Sequence, residues 1–307
     1  MKELKASIME NTVTPNVELA SIERARTRLT GKAIVTPVLA VGAARTPRGN
    51  PIYLKAENLQ PGGSFKIRGA TYCLSLLTES QRTAGVIAYS TGNHAQAVAL
   101  ASKQQGIHAT IVMSPDVPSF KVEATQRYGA TVLMADASSQ ARRELAEHLA
   151  IARGLSLVPP YDDLDVMAGQ GTIGLEVLEQ LAPAAVFVPI GGGGLIAGIA
   201  AAIKQTDPGV RIIGVEPEWE NDAYQSFHRG HRVTLATTST SIADAIRVQT
   251  LGELTYPIIC RFVDDIVTVS EEEIASATLM ATMETHLLLE PAGALGLAAA
   301  LTYAKPL

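Results

Sequence analysis

Apolar residues along the chain fall into two alternating patterns. Short unbroken runs occur at Ile52–Ala56, Val86–Tyr89, Ala109–Met113, Thr131–Met134, Val186–Ile190, Arg211–Val215 and Ile266–Val269. Runs this brief, rich in β-branched residues and bounded by Gly, Pro or polar clusters, predict buried strands. Between many of them lie longer segments with apolar positions three or four apart: His94–Gln105, Ser119–Tyr128, Ser139–Ala152 and Val166–Leu181. These predict helices. The alternation predicts an α/β fold of parallel twisted sheets covered by helices on both faces.

Helix starts are legible near the C-terminus. Ser270 precedes Glu271, Glu272 and Glu273, a hydroxyl cap followed by acids at the positive end of a helix dipole. Glu290-Pro291 opens a second apolar helix, with proline suited to its first turn. Ala184–Ile203 holds no charged residue in 20 positions, long enough to span a bilayer. Pro189 and the four glycines 191–194 interrupt it, so strand, turn and buried helix are the better reading.

Composition narrows the partners. Hydrophobic residues make up 47% and charged residues 18%, with a formal charge of −5 and no basic run. Such a chain buries a sizeable core, and nucleic acid is a poor partner for it. Neither a signal-like apolar core at the N-terminus nor a membrane partner is expected. Two cysteines, Cys73 and Cys260, make no disulfide framework and suit a reducing, cytoplasmic location.

Three segments carry candidate chemistry. Gly191-Gly192-Gly193-Gly194 stands between a predicted strand and a predicted helix, where glycines let the backbone approach an anion beside free helix amides. A phosphate is the natural ligand, although a plain tight turn would look similar. In Pro61–Ala70 (PGGSFKIRGA), Lys66 sits between Phe65 and Ile67. Most lysines are simply solvated, but apolar neighbours depress a lysine's pKa and make its amine a Schiff-base nucleophile. Ser90–Gln96 (STGNHAQ) sets small hydroxyls, an amide and a helix N-terminus at one turn, either an ordinary cap or a carboxylate cradle.

In order along the chain, PGGSFKIRGA, STGNHAQ, AGQGTIGLEVL, GGGGLIAG, GVEP and EPAGALG resemble the fold-type II pyridoxal-phosphate enzymes. Within that class the resemblance is to the serine/threonine dehydratase and serine racemase group, from about residue 34 onward. It implies a two-domain fold like the tryptophan synthase β chain: a large domain of residues 1–80 and 162–307, and a small mobile domain of 81–161. It implies that Lys66 holds pyridoxal 5'-phosphate and then takes the Cα proton. Phe65 would pack beside the ring, Asn93 would meet its hydroxyl, and Gly191, Gly192, Gly193 and Gly194 would bind the phosphate. Ser90, Thr91, Asn93 and His94 would surround the substrate carboxylate, joined by Arg142. A small-molecule amino-acid substrate and a homodimer are further expectations of the same kind.

The resemblance also implies a site for Mg2+ or Ca2+ in GVEPEWENDAYQS, with Glu216 and Asp222 as carboxylate ligands and Glu220 at a carbonyl position. Oxygen ligands suit these ions, whereas a solvated acidic loop is the plain alternative. The reaction implied is elimination of water from a β-hydroxy-α-amino acid such as L-threonine or L-serine, giving a 2-oxo acid and ammonia. Thr91 stands where the racemase has a serine acting on the opposite face of the ring. Its added methyl restricts the side chain, so dehydration is favoured over racemisation. The same motifs also admit a specialised dehydratase for hydroxyaspartate or a hydroxyectoine-pathway intermediate. The group's C-terminal turn that meets the pyridine nitrogen has no match before Leu307, so that role is assigned to no residue here.

Overall fold

The structure, a computed structural model, describes residues 15–136, 138–237 and 240–305. In chain order the strands are β1 (Val38–Arg45), β2 (Pro51–Lys55), β3 (Val86–Tyr89), β4 (Ala109–Met113), β5 (Thr131–Met134), β6 (Ser156–Leu157), β7 (Ala185–Pro189), β8 (Arg211–Pro217) and β9 (Asp265–Val269). The described residues group into two compact units. One contains 15–22, 37–56 and 171–305; the other contains 23–36 and 57–170.

The second unit is built on a four-stranded parallel sheet in the order β5-β4-β3-β6. The inner strands β3 and β4 read as continuous apolar runs because both faces are covered, whereas the edge strand β5, expected to be buried, is exposed at both ends. On one face, Ile67, Ala70 and Leu74 of the helix Lys66–Ser75 and Val98 of the helix Asn93–Gln105 share a core with Val86, Ala88, Ile111 and Met113. On the other, Ile87 and Val112 meet Ala146 of the helix Ser139–Arg153. Residues 23–36, 57–80 and 162–170, expected from the sequence to join the large domain, belong to this unit. For 57–80 the cause is the apolar face of the Lys66 helix, which lies in this core.

The first unit carries the parallel sheet β7-β8-β9 and a separate antiparallel pair, β1-β2. Val41 and Ile52 of that pair share a core with Val215, Val269, Ile274 and Leu295. Parallel pairing therefore holds for β3–β9 and fails for β1-β2. Strand β1 carries few large apolar residues and slips register between Ala40 and Arg45, so it gives no clean strand pattern.

The predicted helix starts are present. Ser270 Oγ accepts from the Glu273 amide at 3.2 Å, and the Glu273 carboxylate accepts from the Ser270 amide at 2.7 Å, a complete capping box. The acidic triplet is thus the first turn of the helix Glu271–Thr285. Pro291 opens the helix Pro291–Thr302. The uncharged Ala184–Ile203 segment divides into β7, a glycine turn and the helix Gly194–Thr206. Among the described residues no helix is long and apolar enough to cross a membrane.

Candidate cofactor and substrate site

Lys66 is the first residue of its helix, and the preceding loop delivers it there. Two residues on, buried Arg68 fixes that loop. Its Nε and Nη2 each donate at 2.8 Å to the two oxygens of Glu57, a bidentate pair. Nη2 also donates to the Ile34 carbonyl at 3.0 Å, and the Thr36 hydroxyl donates to Glu57 at 2.6 Å. A second anchor is the crossing of this helix with Leu164–Gln180. A Cβ on Gly169 would stand 2.6 Å from the Gly69 Cα, so only glycine permits the approach. The Gly69 amide donates to Gln170 Oε1 at 3.2 Å across the same crossing. The Lys66 amine donates to the Pro160 carbonyl at 2.6 Å and stands 5.3 Å from the centre of the Phe65 ring.

Within the same unit, Ser90 and Thr91 follow β3 directly, and Asn93 begins the helix Asn93–Gln105. Gly92 caps that helix without a side chain, which leaves its first amides to another acceptor. Ser90 Oγ accepts from the Gly92 amide at 3.3 Å and so braces the turn. His94 is only 3% exposed, and its Nε2 lies 2.9 Å from the Val158 carbonyl. Burial, followed by the positive charge of Lys66, pushes its pKa down to about 3, so the ring is neutral. Arg142 lies in the first turn of the helix Ser139–Arg153, half-buried, with its pKa lowered by desolvation.

In the other unit, the tetraglycine segment joins β7 to the helix Gly194–Thr206. Gly193 has φ +94, and a Cβ there would meet Thr255 Oγ1 and Ile259 Cδ1 at 2.8 Å. A Cβ on Gly191 would reach Ile246 at 3.2 Å. The Gly192 carbonyl accepts from the Thr255 hydroxyl at 2.8 Å and the Gly252 amide at 3.2 Å, which pins the turn. A thirteen-residue helix thus starts at a glycine with no capping side chain. This is a backbone cradle whose chemistry suits the phosphate of pyridoxal phosphate, and Lys66, in its own unit, is an amine whose chemistry suits the aldehyde.

The three acids expected from the sequence to hold a metal ion lie at the end of β8, in the turn that follows and at the start of the helix Asp222–Arg229. Among the described residues no three His, Cys, Asp or Glu side chains are arranged to hold a metal ion. Glu216 turns both oxygens to the start of the helix Asp222–Arg229, accepting from the amides of Ala223 at 3.1 Å and Tyr224 at 2.7 Å. Glu216, Glu220 and Asp222 are nevertheless all buried. Burial and mutual repulsion hold Glu216 well above the usual carboxylate range. Burial pushes Asp222 up to about 7, and the charge of Glu220 adds to the shift.

Several residues that shape the site carry no clear mark in the sequence: Glu57, Gln170, Val158 and Pro160. A charged residue inside the apolar FKIRGA segment is the one signal for the Arg68 pairing. The backbone acceptors Val158 and Pro160 give none.

Comparison with known proteins agrees with this architecture. Residues 29–307 match the family model described as "Pyridoxal-phosphate dependent enzyme". L-threo-3-hydroxyaspartate ammonia-lyase of Saccharomyces cerevisiae is 45% identical over 267 residues, covering 87% of this chain and 82% of its own. The catabolic L-threonine dehydratase of Staphylococcus aureus is 42% identical over 298 residues, covering 95% and 86%. The structure of maize serine racemase superposes with a TM-score of 0.88 at 37% identity, covering 94% of this chain and 87% of its own. The fold-type II architecture expected from the motifs is therefore present, and the chain belongs to the family of pyridoxal-phosphate-dependent enzymes.

Proposed function

We propose that the protein is a pyridoxal-phosphate-dependent dehydratase acting on a β-hydroxy-α-amino acid, with L-threonine, L-serine and L-threo-3-hydroxyaspartate as its substrate class. The observation that carries this reading is the Lys66 amine, placed at a helix start by a fully paired network and held at its tip by the Pro160 carbonyl. The cofactor, when bound, supplies the electron sink that makes the Cα proton removable. Lys66 would hold it covalently and, as a free amine, would take the proton from Cα. Gly191, Gly192, Gly193 and Gly194 would bind the phosphate through backbone amides, Phe65 would flank the ring and Asn93 would meet its hydroxyl. Ser90, Thr91 and the first amides of the helix Asn93–Gln105 receive the substrate carboxylate, with Arg142 as a cationic partner.

The chemistry balances simply. The Cα–H and Cβ–OH bonds break, water leaves, and one water then hydrolyses the C–N bond to give a 2-oxo acid and ammonia. The first test is 2-oxo acid release from threonine, serine and both hydroxyaspartate diastereomers by protein loaded with pyridoxal phosphate. Release abolished by Lys66→Ala supports the reading, whereas release from none of the substrates overturns it. Gly193→Ala forces a side chain into a positive-φ turn and should weaken cofactor retention at least ~10-fold. Chiral chromatography of recovered serine reads racemisation, the alternative in which Thr91 exchanges a proton.

We place the enzyme in the cytoplasm as a homodimer. Cys73 and Cys260, neither in a disulfide, support the first. Exposed Leu279, Met283 and Leu288, in and after the helix Glu271–Thr285, support the second. Sedimentation velocity with Leu279→Glu reads the assembly: a dimer that becomes a monomer supports it.

A further inference from the structure

We infer that His94 is a positioning residue for Lys66, acting through the Val158–Pro160 segment; the inference rests on Lys66 being the lysine that carries the cofactor. The connection is a chain of direct contacts. The His94 ring nitrogen Nε2 meets the Val158 carbonyl at 2.9 Å, and two residues later the Pro160 carbonyl takes the Lys66 amine at 2.6 Å. A carbonyl can only accept, so Nε2 carries the proton and Nδ1 keeps its lone pair. Nδ1 is buried and makes no hydrogen bond among the described residues. The ring is thus committed to the Val158 backbone and turned away from solvent.

The segment between the two contacts transmits position well. Strand β6 has only two residues, so little sheet holds the chain beyond it. The Val158 amide donates to Ile87 at 2.9 Å, and its carbonyl is held by His94. Pro159 and Pro160 follow with φ fixed by their rings and no amide hydrogens to engage elsewhere. With Val158 fixed on both sides, the direction of the Pro160 carbonyl has few remaining degrees of freedom. Lysine, by contrast, carries its charge on a flexible four-carbon stem. A fixed carbonyl at its tip selects one placement of the amine out of many. A neutral ring suits the task, since a second cation would repel the ammonium it helps to place.

The experiment compares His94→Phe, His94→Gln and the wild type as full-length protein loaded with pyridoxal phosphate. Phenylalanine keeps the ring volume and removes the donor; glutamine carries an amide nitrogen at about the reach of Nε2. Two readouts are taken: the cofactor concentration for half-maximal covalent capture on Lys66, trapped with borohydride and located by mass spectrometry, and kcat and KM for 2-oxo acid release. For His94→Phe, capture and kcat should each fall roughly 10-fold or more, with KM within about 2-fold, as for a misplaced reacting group. His94→Gln should recover both to within about 3-fold.

Overturning results are equally definite. Unchanged capture and kcat in folded His94→Phe removes the role, and so does a raised KM at constant kcat, which marks substrate binding by the ring. If His94→Phe fails to fold, His94→Gln against His94→Asn decides, because the shorter amide reaches the Nδ1 position and not Nε2. Equal capture by those two overturns the inference. A borohydride adduct on a lysine other than Lys66 in the wild type sinks the underlying reading instead, so the two failures are distinguishable.

Discussion

Two buried charged clusters, one in each unit, solve the same electrostatic problem in opposite ways. Around Arg68 and Glu57 the charges are of opposite sign, the contact is bidentate, and neighbouring donors and acceptors use the remaining oxygens and N–H groups. Around Glu216, Glu220 and Asp222 the charges are of one sign, and Asp222 Oδ2 lies buried without a hydrogen bond. Burying a charge is tolerable only when it is paired or neutralised. The first cluster is complete in itself and serves to fix the loop before Lys66. The second is met in part by the helix amides that Glu216 accepts from, while burial and like charge raise the pKa of Glu216 and Asp222.

The comparison breaks most visibly if the Arg68 network proves dispensable. Arg68→Met leaves the Glu57 carboxylate without its bidentate partner, and the expected cost is about 3–5 kcal/mol of unfolding free energy. Urea unfolding of the loaded enzyme measures it. The double variant Arg68→Met/Glu57→Leu removes both charges and should recover part of that loss. A cost below about 1 kcal/mol for the single variant would mean that the pair contributes little to holding the fold, despite its burial.

His94 sharpens the comparison from a third position, as a titratable group buried neutral. Its folded pKa of about 3 lies below the ordinary histidine value, so between those limits the unfolded chain binds the extra proton. Its contribution is therefore full above the unfolded pKa and is lost as pH falls below it. Lowering the pH from about 7 to about 5 should cost the wild type about 2 kcal/mol through this group alone. His94→Gln cannot titrate. The difference between the two proteins isolates the histidine, because the carboxylates are common to both. Equal pH slopes for the two would show that His94 titrates normally in the fold.

Much of this architecture is legible because its signals are local. Strands β3 and β4 coincide with the apolar runs, since a strand buried on both faces needs nothing but apolar residues between turns; β5 coincides too, although as the edge strand it is exposed at both ends. The capping box at Ser270 is likewise complete within four residues. Strand β1 is hidden by small residues and by a partner strand that supplies its apolar context. The site divides in the same way. Lys66, the Ser90–His94 turn and the tetraglycine segment announce themselves by residue type and spacing. The Arg68–Glu57 pair, 11 residues apart, needs the loop's path before it can be seen. The ring contact of His94 spans 64 residues and ends on a backbone carbonyl, which sequence cannot mark. In GVEPEWENDAYQS the spacing of acids is readable, yet spacing alone does not say that Glu216 caps a helix.

The finest test lies in that acidic cluster. Asp222 begins a helix, where a carboxylate is ordinarily welcome. Here, however, it is buried beside Glu220, and burial is the larger effect. Asp222→Asn keeps the shape and an acceptor oxygen for the Leu251 amide while removing one of the three ionisable carboxyl groups. In protein treated with a chelator at neutral pH, the variant should be more stable by about 1 kcal/mol. Differential scanning calorimetry measures the change, and a loss of stability would mean that the cluster is held by pairing stronger than its repulsion. Repeating the scan in millimolar Mg2+ separates a proton from a cation as the balancing charge. With protons, the variant keeps its advantage; with a cation, the wild type overtakes it. Trp219, the single tryptophan, is exposed within the same turn and reports any accompanying rearrangement by its fluorescence.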